Sequence, residues 1–199
     1  MKLVGVTGGI GMGKSTAGDL LRLSAVSVVD TDVLARELTA VGQPALQEIR
    51  AVFGSQYFVP SGDLNRSLLA HLVFNNENAK MKLEAILHPR IEAEWKRVVS
   101  NWVSSSISCG AVIIPLLFEK EYQPLFDATV CLACSSDEQL RRLRRRGWSD
   151  SEIKARNSAQ LPVDQKVQRS RFLVWTEGSL TTHQKQWYCI LAELGCLTG

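Results

Sequence analysis

The segment at residues 8–16, which reads GGIGMGKST, constrains this chain more than any other part of its sequence. It fits the pattern G-x-x-x-x-G-K-[ST], which runs here from Gly8 to Ser15. The apolar residues 2–7 predict a short buried strand before the segment, and residues 17–23 predict a helix after it. A strand, a loop and a helix in this order are the context in which the pattern binds phosphate. The alternative is a glycine-rich turn without a ligand, which would need all these features to coincide by chance.

The chemistry of such a loop follows from its residue types. Glycines allow successive backbone N–H groups to point inward at phosphate oxygens, and the start of the following helix adds unpaired N–H groups. Lys14 supplies a cation for the β- and γ-phosphates, and the Ser15 hydroxyl is suited to binding Mg²⁺. The segment therefore predicts a nucleoside triphosphate site with Mg²⁺ as its metal, but it leaves the reaction open.

Composition narrows the class of protein. With 199 residues, 45% of them hydrophobic and 22% charged, the chain is typical of a globular protein with one main core. The net charge of +3 suits small anionic ligands and does not by itself indicate nucleic acid binding. No apolar run is long enough for a membrane span, and no signal peptide precedes the first strand. We expect a cytoplasmic monomer without nucleic acid or membrane partners.

The cysteines do not predict disulfides or a metal site. Five cysteines at scattered positions do not form a disulfide framework. Cys131 and Cys134 match C-x-x-C, but they lie in an apolar segment that reads as a strand, where residues three apart point to opposite faces. We therefore expect both to be buried core residues.

Alternating strands and helices predict an α/β fold with a parallel sheet that has helices on both sides. Further strands are expected at residues 26–29, 111–114, 128–134 and 172–175. Between the second and third strands lies an unusually long helical stretch, in which His88-Pro89 is expected to interrupt an apolar stripe. The predicted organisation is a nucleotide-binding core (1–32, 109–140 and 167–199), an inserted helical subdomain (33–108) and a helical lid (141–166).

Candidate acidic residues follow the second strand. In an open α/β sheet, ligands bind at the carboxyl ends of the strands, so Asp30 and Asp32 are expected near the phosphates. Asp32 is the candidate for orienting or deprotonating an acceptor hydroxyl, and Asp30 for the surroundings of the metal. The alternative for Asp32 is a helix N-cap, with the helix beginning at about Val33. Arg36 either clamps a substrate phosphate or forms an i,i+4 ion pair with Asp32.

The densest charge in the chain is the run of five arginines between Arg141 and Arg146. In a phosphoryl-transfer enzyme, arginines on a mobile segment stabilise the charge of the transition state. The alternatives are a solvated helix face or a nucleic-acid patch, although no interleaved aromatic series supports the latter. His88 either contacts a substrate or is a structural hydrogen-bonding residue.

Taken together, these motifs resemble the dephospho-CoA kinase family. The resemblance runs from Lys2 to about Ser179 and rests on the phosphate loop and on segments that occur in the family's order. These segments are Asp30-Thr31-Asp32, Ala35-Arg36, Phe53-Gly54, Gly62-Asp63-Leu64-Asn65-Arg66, His88-Pro89, Pro115-Leu116-Leu117-Phe118-Glu119, and the lid positions Arg142, Arg146, Arg156 and Gln160. The chain departs from the family pattern at Met12, Thr31, Glu84, Ser170-Arg171 and Thr176, the last two on the expected adenine side.

The resemblance implies a P-loop kinase core with a helical CoA-binding domain and a lid. It implies transfer of the γ-phosphoryl group of Mg-ATP to the ribose 3′-hydroxyl of dephospho-CoA, the last step of CoA synthesis. The implied ATP-binding residues are Gly11, Met12, Gly13, Lys14, Ser15 and Thr16. Asp32, Lys14, Arg142 and Arg146 are the implied catalytic residues, and Thr7, Asp32, Arg36, His88, Leu116 and Glu119 the implied substrate contacts. The competing hypotheses are another small-molecule kinase, such as a nucleoside monophosphate kinase, and a non-catalytic nucleotide-binding regulatory module.

Overall fold

The computed structural model describes residues 1–197 of the chain. The elements are β1 (Lys2–Gly8), α1 (Lys14–Leu23), β2 (Ser27–Asp30), α2 (Thr31–Leu38), α3 (Pro44–Phe53), α4 (Arg66–Asn75), α5 (Glu77–Ser104), β3 (Cys109–Ile113), β4 (Ala128–Ala133), α6 (Ser136–Arg145), α7 (Asp150–Ser158), α8 (Val163–Arg169), β5 (Phe172–Trp175) and α9 (Leu180–Glu193). Two short 3-10 helices lie at Ser55–Tyr57 and Gln123–Leu125. None of the helices in this described part is long and apolar enough to cross a membrane.

The chain divides into two compact units. The sheet unit consists of Met1–Asp30 and the chain from Val99 onward, and the helical unit consists of Thr31–Val98. The helical unit therefore begins directly after β2 and ends within α5. The predicted subdomain spanned 33–108, so the structural division falls two residues earlier at its start and ten residues earlier at its end.

The sheet has five strands in the order β2-β3-β1-β4-β5, and every neighbouring pair is parallel. β1 lies in the centre, where Val4 is in register with Ala111 of β3 and with Ala128 of β4. Because the strands are parallel, the loop that follows β1 emerges at the carboxyl edge of the sheet, where open α/β sheets bind ligands. The predicted α/β fold with a parallel sheet and flanking helices is confirmed.

Helices cover both faces of the sheet. Every residue of β3 and β4 is buried, as expected for a central parallel strand that has helices on both sides. One face packs against α1 and α9, with Val4, Leu21 and the fully buried Trp187 in the same core cluster. Cys131 and Cys134 are buried and unoxidised, so the prediction of core cysteines is confirmed.

The helical unit corrects one prediction, because α5 continues through Pro89 without interruption. A proline inside a helix removes one hydrogen bond and costs about 3 kcal/mol. Arg90 offsets part of this cost, since its Nη1 donates to the Ile86 carbonyl at 2.6 Å and its Nη2 donates to Glu48 at 2.6 Å. Ile86, which precedes the proline, is buried in the core cluster of the helical unit with Ile49 and Leu69, and this packing further anchors the helix. Tertiary packing therefore outweighs the local preference of the proline.

Candidate active site

The loop between β1 and α1 takes its shape from glycines. Gly11 has φ 72° and Gly13 has φ 81°, both in the left-handed region that strains other residues. A Cβ atom on Gly11 would also lie 3.0 Å from Cγ of Leu143. Helix α1 begins at Lys14 without a side-chain cap, and its fully described first turn contains no acidic residue. The N–H groups and the positive helix end are therefore available to an anion at this loop.

Lys14 is held over the same loop. Its Nζ donates to the carbonyl oxygens of Gly8 at 2.9 Å and Gly9 at 2.8 Å, so the ammonium lies against the loop backbone. The next residue, Ser15, is exposed at the start of α1. Residues 1–197 contain no group of three or more His, Cys, Asp and Glu side chains that could hold a metal ion. A divalent cation at this loop would therefore depend on the Ser15 hydroxyl, phosphate oxygens and water.

Arg142 turns from α6 toward the phosphate loop. Its Nη1 donates to the Gly11 carbonyl at 3.3 Å and to Oγ1 of Thr176 at 3.0 Å, and its Nη2 donates to the Thr176 carbonyl at 2.6 Å. Its Nε donates to Glu138 Oε1 at 2.7 Å. Hydrogen bonds from Arg141 and then Arg142 lower the pKa of Glu138 to about 2, so this carboxylate is ionised at neutral pH and holds Arg142 in place.

The rest of the arginine run does not form one patch. Arg141 pairs with Glu138, and Arg144 pairs with Asp150 at 3.0 Å. Arg146 is the C-cap residue of α6 and is exposed, and its side chain makes no hydrogen bond with residues 1–197. Of the two predicted lid arginines, Arg142 is therefore immobilised beside the phosphate loop, whereas Arg146 extends into solvent.

A second group of polar residues lies where β1 and β3 end. Thr7 is fully buried, and its Oγ1 donates to the Pro115 carbonyl at 3.1 Å. Leu116 is partly exposed at the start of the loop that follows β3. Glu119 Oε1 accepts a hydrogen bond from the Leu161 backbone N–H at 2.8 Å, which joins this loop to the segment between α7 and α8. Three predicted substrate contacts thus lie at the carboxyl edge of the sheet.

The aspartates after β2 occupy different elements. β2 ends at Asp30, and α2 begins at Thr31, so Asp32 lies in the first turn of that helix. The N-cap alternative for Asp32 is therefore wrong, because the helix begins two residues before Val33. An acidic residue in a first turn still interacts favourably with the helix dipole. The Asp32 side chain is exposed to solvent.

Arg66 contacts the end of α2, the helix that carries Arg36. Arg66 Nη2 donates to the Arg36 carbonyl at 3.2 Å and to Thr39 Oγ1 at 2.7 Å, at the carboxyl end of α2. Burial, followed by the charge of Arg36, lowers the pKa of Arg66. Within residues 1–197, the Arg36 side chain makes no ion pair, so the proposed pair with Asp32 is not formed. His88 is half-buried within α5.

The two late departures from the family pattern lie at opposite ends of β5. Thr176 follows the strand, is buried beside Gly13, and holds Arg142 through its hydroxyl and its carbonyl. Arg171 precedes the strand, where its backbone N–H donates to Thr129 Oγ1 and its guanidinium pairs with Glu193. Arg171 therefore lies at the amino edge of the sheet, whereas Thr176 lies at the carboxyl edge, where the phosphate loop emerges.

Sequence reasoning did not identify three of the residues that shape these sites. Gln139 is buried and donates to the Ile10 carbonyl at 2.8 Å, which ties α6 to the phosphate loop. Arg66 adjoins Arg36, and Lys166 is buried beside Glu119. Arg66 belongs to a segment that carries the family resemblance, and this was the available signal for it. Gln139 and Lys166 lie in polar helices, where nothing in the sequence marks them as buried.

Comparison with known proteins adds independent evidence. Residues 2–182 match the family model described as dephospho-CoA kinase. A dephospho-CoA kinase of Bacillus anthracis is 33% identical over 192 residues, covering 96% of both chains, and one of Anaeromyxobacter dehalogenans is 39% identical, covering 90% of this chain and 85% of the relative.

Solved structures agree on the fold. The Thermus thermophilus protein TT1252 matches with a TM-score of 0.78 at 34% identity, covering 100% of this chain and 98% of the other. A dephospho-CoA kinase from Campylobacter jejuni matches with a TM-score of 0.70 at 24% identity, covering 98% of each chain. At that lower identity the second match supports the fold alone.

Proposed function

This chain belongs to the dephospho-CoA kinase family and is an ATP-dependent kinase, and on this basis we propose that it transfers the γ-phosphoryl group of ATP to the ribose 3′-hydroxyl of dephospho-CoA. The products are CoA and ADP. The observation that carries the proposal is the phosphate loop, whose glycine geometry, uncapped helix start and Lys14 form an anion site inside a family match that spans residues 2–182. All five cysteines are free thiols, which suits action in the reducing cytoplasm.

The donor side of the reaction depends on residues 11–16. Their backbone N–H groups bind the β- and γ-phosphates, and Lys14 neutralises part of the phosphate charge. Mg²⁺ is the metal we propose, held by the Ser15 hydroxyl with phosphate oxygens and water, and it would neutralise charge on the transferred group. An exposed hydroxyl at the first turn of α1 fits this role, and the donors available are oxygens, which Mg²⁺ prefers.

The acceptor side depends on Asp32. Its carboxylate orients the ribose hydroxyl and accepts the hydroxyl proton as the phosphoryl group is transferred. Arg36 binds the acceptor together with His88, and Arg66 supplies a second guanidinium, which is held at the end of α2 and interacts with the charge of Arg36. Two adjacent guanidinium groups repel each other and are stabilised by an anion, so we assign them to the phosphates of dephospho-CoA.

Charge on the transferred group is also stabilised by arginines of α6. Arg142 is already held against Gly11, so it needs little reorganisation when charge develops. Arg146 is exposed and acts by closing on the phosphates. On the acceptor side, Leu116 and Glu119 line the loop that contacts the substrate, and the buried Thr7 supports this loop through its hydrogen bond to Pro115.

ADP release from Mg-ATP tests the reaction directly. We expect release to require dephospho-CoA, to be absent with AMP, CMP or no acceptor, and to disappear in the Lys14→Ala variant. Phosphate should appear at the 3′ position of the product, which ³¹P NMR identifies. Turnover with AMP or CMP instead of dephospho-CoA would refute the proposed acceptor, and ATP binding without any acceptor-dependent turnover would refute the proposed reaction.

Substitution of Asp32 tests the proposed base. We expect Asp32→Asn to lower kcat by at least about a hundredfold, because general base catalysis contributes on the order of a hundredfold or more, and to leave ATP affinity nearly unchanged. Glu37→Gln is the matched control, since Glu37 is an exposed acid on the same helix α2. Equal losses of turnover and ATP affinity in Asp32→Asn would show that Asp32 has only a structural role.

Substitution of Arg146 separates catalysis from a solvated helix face. We expect Arg146→Ala to lower kcat while the melting temperature stays unchanged, because the side chain is exposed at the end of α6. Its neighbour Arg145 is also exposed and serves as the control. If Arg146→Ala has the same kinetic constants as the wild type, Arg146 has no catalytic role and belongs to a solvated helix face.

A further inference from the structure

Lys166 of α8 is a fully buried lysine that the proposed chemistry does not use. Its side chain has 0% exposure. Its Nζ donates to the Pro115 carbonyl at 2.6 Å and forms an ion pair with Glu119 Oε1 at 2.8 Å. Lysine is almost never completely buried unless it is paired, because an ammonium group loses its hydration on burial. Burial of Lys166 therefore carries a cost in desolvation free energy, which its two partners must offset.

The two partners of Lys166 belong to the loop that follows β3. The Pro115 carbonyl also accepts a hydrogen bond from Thr7 Oγ1, at the end of the central strand. Glu119 Oε1 also accepts a hydrogen bond from the Leu161 N–H. The Lys166 ammonium contacts only the loop after β3. Through the shared acceptors Pro115 and Glu119, it is linked to the end of β1 and to the segment before α8.

Helix α8, which carries Lys166, packs beside the phosphate loop. Val163 and Val167 of this helix pack against the cluster of Met12, Ala133 and Cys134, and Met12 belongs to the loop.

Glu119 has one oxygen left for another group. Oε1 has two donors, whereas Oε2 is buried and has no hydrogen-bond partner within residues 1–197. A buried acceptor without a donor is uncommon in a native protein and calls for an explanation. The neighbouring Gln160 Oε1 is in the same situation. Lys166 sets the orientation of the carboxylate, and this orientation decides where Oε2 points.

We propose that Lys166 is a positioning residue, which fixes Glu119 so that its Oε2 accepts a hydrogen bond from an N–H or O–H group of the phosphoryl acceptor. This inference rests on the proposed function, because it assigns a contact to the same acceptor. Lys166 does not touch the substrate. Its effect passes through Glu119, so loss of either residue should impair the same step, the binding of dephospho-CoA.

Steady-state kinetics of charge-removing variants tests the proposal. We expect Lys166→Met to raise the KM for dephospho-CoA at least tenfold, while the Kd for ATP changes less than twofold. Glu119→Gln should raise the same KM. The Lys166→Met/Glu119→Gln double variant should have a KM no higher than that of the single variant with the larger KM, because both residues act on one contact. Lys166→Arg should restore part of the affinity, because it returns the positive charge. The control is Lys154→Met, which removes an exposed lysine from the neighbouring helix α7.

The outcomes separate this inference from its alternatives. If Lys166→Met lowers the melting temperature but leaves the KM for dephospho-CoA unchanged, Lys166 is only a structural lock and the proposal is wrong. Effects that multiply in the double variant would also contradict it, since the two residues would then act independently. If Lys166→Met does not fold, Glu119→Gln decides by itself, and an unchanged KM refutes the proposal. Wild-type protein without dephospho-CoA turnover would instead refute the proposed function.

Discussion

Met12 is the residue of the phosphate loop whose replacement tests the packing described above. Its side chain is 3% exposed and packs against Ala133 and Cys134, with Val163 and Val167 of α8 on the same cluster. The side chain also lies over the loop, since a Cβ atom on a residue at position 9 would be 3.1 Å from the Met12 sulfur. Met12 is also one of the positions at which the chain departs from the pattern of the family it resembles, and Met12→Ser replaces its buried side chain with a small polar one.

We expect Met12→Ser to destabilise this protein. Truncating a buried methionine costs about 2–5 kcal/mol, from lost burial and from the cavity left behind. Because α8 can move partly into the space, we place the loss in the free energy of unfolding at about 2–3 kcal/mol, in the lower part of that range. For a chain of this size, each kcal/mol lowers Tm by about 2–4 °C, so the expected decrease is about 4–12 °C.

Urea unfolding followed by circular dichroism and tryptophan fluorescence measures this change. Met81→Ser is the matched control, because Met81 is 61% exposed on α5 and its replacement should change stability by no more than about 0.5 kcal/mol. If Met12→Ser costs less than about 1 kcal/mol, or no more than Met81→Ser, the inferred packing of α8 against the phosphate loop is wrong. A large loss with unchanged ATP affinity would show that Met12 supports the loop without contacting the nucleotide.

Three further predictions concern pH and the surroundings of the site. Burial, and then the charge of Arg142, lower the pKa of His183 below 6.5, the ordinary value for histidine. Below that pH the unfolded chain binds a proton at His183 more readily than the folded chain does, so the free energy of unfolding should fall as the pH drops through 6.5. Urea titrations should show a flatter pH dependence for His183→Gln, and an equally steep one would contradict this cause. Glu138→Gln should raise the Kd for ATP by releasing Arg142, and a fluorescent nucleotide titration with an unchanged Kd would exclude that link. Arg90→Met should accelerate hydrogen exchange around Pro89, and unchanged protection would show that Arg90 does not support the helix there.

Local sequence patterns were sufficient to predict the phosphate loop and the strands of the sheet. The loop requires glycines in the left-handed region next to a strand and a helix, and each of these requirements is visible in consecutive residues. Strand β5 was expected at 172–175 and lies at Phe172–Trp175, because short apolar runs bounded by polar residues have few alternatives. The resemblance to the dephospho-CoA kinase family, which rests on such short segments, is confirmed.

Contacts between distant residues explain what sequence reasoning missed. The arginine run looked uniform, but burial of Leu143 sets the rotation of α6 and turns Arg142 toward Gly11 while Arg146 remains in solvent. The predicted break at Pro89 failed for the same reason, since packing within the helical unit outweighs the local cost of a proline. Both outcomes depend on tertiary contacts that no pattern of consecutive residues reveals.

By itself, the sequence determined that this chain has a phosphate loop on a parallel sheet and that it belongs among the dephospho-CoA kinases, because these properties depend on short segments whose residue types permit one local geometry. Only the tertiary structure decided which charged side chains are buried and what they hold. Lys166 is fully buried although α8 is polar, because folding brings Pro115 and Glu119 to its ammonium group. The free energy of a buried charge depends on partners more than 40 residues away, and no local pattern encodes them.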